Sequence, residues 1–196
     1  MNKLDKKLSA LKMNVEKEYK PLGDISLAII KASSNCFEYT KPSVKGSNEK
    51  EIKKNEILVY YDFIYFFMHL TMRMASSKLI RNQFEKLQEC LGPFISQTAI
   101  NSFFQDWPEE SKSKMLSNFF DGLNAAELDY SESKEFMVKD DLISGNSLLA
   151  KLSSKIAELS GNGTNLGTMM KVKFIAANEY MSMDLDKLIV SASHVL

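Results

Sequence analysis

Residues Ile57 to Ala75 read ILVYYDFIYFFMHLTMRMA, and the fold turns on how this stretch is interpreted. Its 19 residues approach the length of a bilayer span. Asp62, His69 and Arg73 fall inside it, however, and ionisable groups in a spanning helix are expensive and rare. A long helix buried at the centre of a soluble protein accommodates both the apolar run and its three polar interruptions.

Helical periodicity continues on either side. Leu4, Leu8, Leu11 and Val15 form a narrow stripe in a lysine-rich first segment, so residues 1–20 read as a basic amphipathic helix at the periphery. That helix lacks Trp or Phe to anchor in a lipid interface, and Asp5, Glu16 and Glu18 dilute its charge. It is expected to dock on the bundle or on a second subunit. Pro21 and Gly23 interrupt it, and Asp24 is placed to cap a helix from about Ile25 to Tyr39.

Residues 40–50 turn polar and read as an exposed, mobile loop. The long helix runs from Glu49 or Ile52 to about Met74, bending near Ser76-Ser77 into a helix that reaches Cys90. Gly92-Pro93 is expected to end that helix, because proline lacks the N–H and restricts the residue before it. Phe94 to Phe104 reads as a short helix. The run Asp106-Trp107-Pro108-Glu109 then reads as a start signal for a helix from about Pro108 to Leu123. Asp129 to Lys139 is weakly patterned, and Leu148 to Leu159 is helical. A glycine-rich turn follows, with Thr164 or Asn165 capping the last helices. With strand and hairpin signals nearly absent, the expectation is an all-α, single-domain bundle of about six to eight helices spanning 1–196, with a long apolar central helix.

Composition narrows the function classes. The chain carries 25 basic and 25 acidic residues, so it lacks the basic surplus of a nucleic-acid binder, and none is expected as partner. The N-terminal twenty residues hold no continuous apolar segment and do not read as a signal peptide. Cys36 and Cys90, 54 positions apart among apolar neighbours, read as buried reduced thiols of a cytoplasmic protein. With His69 and His194 the only histidines and no HExxH, neither a metal nor a cofactor is expected. The run Gly161 to Thr168 lacks the lysine of a phosphate loop and follows a helix, so it reads as an interhelical turn.

One constellation stands out. On a helical projection, Glu51, Asn55, Asp62, His69, Arg73 and Ser76 lie within about 40° of one line. His69 and Arg73 are neighbours one turn apart, and Asp62 lies about 10 Å from His69 along the axis. The line lines a ligand cleft, faces solvent, or forms a buried network that fixes helix register. On such an apolar helix Asp62 and Arg73 need internal partners. Two function classes follow. One is an interaction or regulatory domain that self-associates into homo-oligomers. The other is a small-molecule-binding protein or metal-independent enzyme using Asp62, His69 and Arg73.

Overall fold

The computed structural model describes residues 20–103, 108–137, 146–161, 163 and 165–196. The helix expected over 1–20 and the Asp106-Trp107 start signal lie outside these residues, apart from Lys20. Seven α-helices are present among the described residues, with no strand: α1 Lys20–Thr40, α2 Glu49–Lys78, α3 Arg81–Phe103, α4 Glu109–Ser131, α5 Leu148–Leu159, α6 Leu166–Ser182 and α7 Leu185–Ser193. The chain is an all-α helical bundle.

Helix α2 is its axis. Every residue from Val59 to Thr71 is buried, so more than three consecutive turns meet protein on all sides. A helix enclosed this way has no polar face to display, which is why its sequence shows so little amphipathic contrast. Phe63, Phe66 and Phe67 are fully buried, each adding roughly 1.5–3 kcal/mol of apolar transfer energy. Helices α1, α3, α4, α5 and α7 pack around α2, and α6 lies outside on α1 and α5. No described helix is long and apolar enough to cross a membrane.

The start of α2 is defined by its cap. The Asn48 side chain accepts from the Glu51 N–H at 3.0 Å, while Glu51 accepts from the Ser47 N–H at 2.6 Å. This reciprocal pairing satisfies two backbone donors at the helix entrance. The preceding loop is exposed from Lys45 onward and is fastened at both ends. Val44 is buried, the Lys45 N–H donates to the Ser160 carbonyl at 2.9 Å, and Asn55 donates to the Lys45 carbonyl at 2.9 Å.

Two expectations about proline fail for related reasons. Helix α1, described from Lys20 onward, runs through Pro21 and Gly23, with Leu22, Ile25 and Ile29 buried along its inner face. Helix α3 runs through Pro93. Leu87, Leu91, Ile95 and Ala99 form one buried stripe at four-residue spacing on both sides of it, and that burial outweighs the lost bond. Pro93 and Glu89 are both exposed, so the carbonyl deprived of its donor lies on the water side. Gly92 is buried, and a side-chain carbon there would sit 3.3 Å from the Phe120 ring, so the glycine lets α4 approach.

Helix α4 extends eight residues past the expected Leu123, because Phe119, Ala126 and Tyr130 continue its buried face. Helix α5 has the expected bounds, with Ser147 accepting from the Ala150 N–H at 3.2 Å. Its next orphan donors, the N–H groups of Leu148 and Leu149, bond to the carbonyls of Glu135 and Phe136 at 3.0 and 3.1 Å. Asn165 caps α6, accepting from Thr168 at 2.9 Å. The thiols also divide. Cys36 is buried, and desolvation pushes it far above the usual thiol range, whereas Cys90 is exposed, contrary to expectation. Cys90 is exposed on the flank of α3, beside the buried Leu87–Leu91 stripe.

Candidate functional site

The polar line on α2 is a seam of contacts to other elements. Each member has a partner: Glu51 and Asn55 hold the entrance loop, and Ser76 donates to the Arg73 carbonyl at 2.8 Å. The three candidates reach three different places. Asp62 pairs with Lys155 of α5, with Oδ1 and Nζ 2.5 Å apart. His69 Nδ1 lies 2.8 Å from Glu127 Oε2 of α4. Arg73 donates from Nη1 to the Ser133 carbonyl at 2.9 Å and from Nη2 to the Lys134 carbonyl. Asp62 and His69 are buried while Arg73 is exposed.

The structure therefore divides the line between two depressions. His69, Arg73 and Glu127 border a hollow of about 360 Å³ that also touches Phe84 and Ser133. A carboxylate only accepts, so Nδ1 donates to Glu127 and the ring's second nitrogen, Nε2, is left over. That nitrogen is buried and has no hydrogen-bond partner among the described residues. The arrangement works as a clamp. Arg73 fixes the segment after α4, whose next carbonyls, at Glu135 and Phe136, complete the N-terminus of α5.

Asp62 borders the other and larger depression, a cleft of about 1200 Å³ between α2, α4 and α5. On α2 it extends from Asn48 to Tyr65, about 25 Å at 1.5 Å per residue. Ile57, Leu58, Met115 and Leu159 supply apolar wall, and the charged first turns of α2 form the rim. Tyr61 and Tyr65, one turn apart, pack edge-on against Phe119 of α4 with centroids 5.2 and 5.1 Å away. A side-chain carbon on Gly122 would lie 2.6 Å from the Tyr65 hydroxyl, so glycine is what admits that ring. The Tyr61 hydroxyl is buried without a partner among the described residues.

Electrostatics mark this cleft. Asp62 is 3 % exposed, and desolvation raises its pKa from 3.8 to about 6, although Lys155 pulls in the other direction. Desolvation also pushes Tyr61 and Tyr65 well above the usual phenol range, so both remain hydroxyl donors at any physiological pH. Titratable groups displaced by burial beside a concave surface make this cleft the candidate site. Among the described residues no group of three or more His, Cys, Asp or Glu is arranged to hold a metal ion.

Sequence reasoning found Asp62 but neither Lys155 nor the two tyrosines as members of the site. Lys155 is 93 positions away, and only the fold brings it close. Its one visible sign is its place in α5, where Lys151 and Lys155 stand one turn apart beside the apolar face. Lys151 pairs with Asp129 and Glu132 at 2.9 Å each, so both lysines tie α5 to its neighbours. Comparison with known proteins leaves this geometry to speak for itself: no family model matches the chain, and no curated protein or solved structure matches it.

Proposed function

We propose that this chain is a binding protein for an elongated, mostly apolar small molecule that carries a neutral hydrogen-bond acceptor such as a carbonyl or ether oxygen. The cleft between α2, α4 and α5 is its site, and the carrying observation is the cleft's size combined with its apolar wall. Ligand pockets commonly enclose roughly 300–1,000 Å³, and a cleft of this volume takes a molecule at the upper end of that range. Asp62 and Lys155 neutralise each other, so the interior offers no net charge to an ionic head group. The Tyr61 hydroxyl is buried and unpaired behind the cleft wall, so a ligand acceptor that draws its ring toward the cleft would give it a partner. Leaving such a donor unmatched costs about 1–3 kcal/mol, which a ligand oxygen would recover.

Laurdan, an apolar naphthyl ketone with a long alkyl chain, is a suitable probe. Its emission should shift to the blue and saturate at one molecule per chain. Ala125 borders the cleft and is exposed, so Ala125→Trp should block the site at little cost to folding. Tyr61→Phe should weaken the probe while leaving the protein as stable or more so. Absence of a saturable shift, or equal binding by Ala125→Trp, would refute the assignment.

The free thiols of Cys36 and Cys90 fit a reducing, cytoplasmic compartment.

A further inference from the structure

We propose that the occupant of the cleft is a single-chain acyl lipid with an anionic head, its chain lying along α2 and its head held by Lys50 and Lys54 at the mouth. This names the ligand class of the site proposed above and rests on that reading.

Lys50, Lys54, Ile57, Tyr61 and Tyr65 all border the cleft. Their steps of 4, 3, 4 and 4 place them on one line of α2. From the start of the helix inward, that line passes from cation to aliphatic to aromatic. Lys50 and Lys54 are exposed, Ile57 is half-buried, and Tyr61 and Tyr65 are buried. The α4 wall, from Met115 through Asn118 and Gly122 to Ala125, carries no charge. The cleft is therefore charged at its mouth and apolar beyond it, which suits a molecule with one ionic end. From Lys54 to Tyr65 the line covers about 16 Å at 1.5 Å per residue, room for an extended alkyl chain.

The charges at the mouth do not cancel among themselves. Glu49 pairs with Lys53 at 3.0 Å, and Glu51 accepts the Ser47 N–H at 2.6 Å as part of the helix cap. Asp62 is paired with Lys155 further in. Lys50 and Lys54 form no ion pair among the described residues, so they are the cations of the rim left to meet an anion. One turn apart on one face, their two ammonium groups can bracket a single carboxylate or phosphate. Lys50 also stands in the first turn of α2, where the positive end of the helix dipole disfavours a cation, and a bound anion would offset that cost. The Asp62–Lys155 pair keeps the interior neutral, so the head belongs at the mouth. Inside, the acyl carbonyl supplies the neutral acceptor that the Tyr61 hydroxyl lacks.

Competition against laurdan on the full chain tests this, with N-dodecanoylglycine and its methyl ester as ligands, both kept below micelle formation. The two share a chain and an amide carbonyl and differ in the charge of the head. At low salt the acid should displace laurdan about fivefold or more better than the ester, and the advantage should shrink at high salt, as two exposed ion pairs require. In the double variant Lys50→Gln, Lys54→Gln the acid and the ester should compete within about twofold of each other. Equal displacement by acid and ester in the wild type, or an advantage that survives the double variant, overturns the anionic head and leaves the cleft reading intact. Absence of a saturable laurdan shift removes the cleft reading, and this proposal with it. Co-sedimentation with phosphatidylglycerol vesicles, without displacement of laurdan by the acid, overturns the proposal as well, since the two lysines would then meet a membrane surface.

Discussion

Replacing Asp62 by Asn removes a charge that the fold carries at a cost, and the size of that cost can be worked out. In the unfolded chain the carboxyl titrates near 3.8; in the folded chain burial raises it to about 6. The folded state therefore holds its proton more tightly than the unfolded state does between those two values. Its contribution to stability is complete below 3.8 and is lost as pH rises through 6. At 1.36 kcal/mol per pH unit, the displacement amounts to about 3 kcal/mol of destabilisation at pH 7.5. Asn mimics the protonated acid, and Lys155 is exposed enough to be hydrated without its partner, at 37 % of its side chain. Asp62→Asn should thus raise unfolding stability by about 3 kcal/mol at pH 7.5 and by about half that at pH 5. Urea titrations followed by circular dichroism at 222 nm, at pH 5.0, 6.0 and 7.5, give the comparison. A variant less stable than wild type at pH 7.5 would refute the reasoning, because the Lys155 pair would then be a net stabiliser. A gain that does not change with pH would refute it too.

Two other substitutions probe the scaffold. Gly122→Ala places a carbon 2.6 Å from the Tyr65 hydroxyl and should lower stability by about 1–2 kcal/mol, the overpacking cost exceeding alanine's helical preference. Thermal denaturation should show part of that loss restored by adding Tyr65→Phe, and a Gly122→Ala variant as stable as wild type would exclude the contact. Arg73→Ala releases the carbonyls of Ser133 and Lys134, so the Glu135 and Phe136 carbonyls should hold Leu148 and Leu149 less firmly. Native-state hydrogen exchange at those two amides should quicken about tenfold or more, in line with the loss of a hydrogen bond to a charged donor. Unchanged exchange there would mean that Arg73 does not organise the start of α5.

Much of the fold could be read from residue order because its signals are local. The run from Ile57 to Ala75 is apolar around most of its circumference, and from Val59 to Thr71 the bundle encloses it on every side. Ser147 and Asn165 cap the helices they precede, since a cap acts over three residues. Pro93 misled because its local effect competes with a buried stripe, Leu87 to Ala99, whose value depends on what α3 packs against. Cys90 misled for a similar reason: apolar sequence neighbours do not settle which side of a helix a residue occupies. For the site, periodicity placed Asp62, His69 and Arg73 on one line and implied internal partners. It could not show that α4, α5 and the segment between them each take one of the three. Nor could it separate the Asp62 cleft from the hollow beside His69, because that division depends on where α4 and α5 cross α2.

The cleft's role is tested most directly by locating a bound molecule in it. Methyl-labelled protein, with Ile and Met carbons observed by NMR, should be titrated with laurdan. Ile57 and Met115, which border the cleft, should shift and saturate together at one equivalent, while Met169, Met170 and Met181 on α6 stay in place. Shifts confined to the α6 methionines, or none at Ile57 and Met115 at saturating probe, would contradict the assignment of the cleft as a binding site.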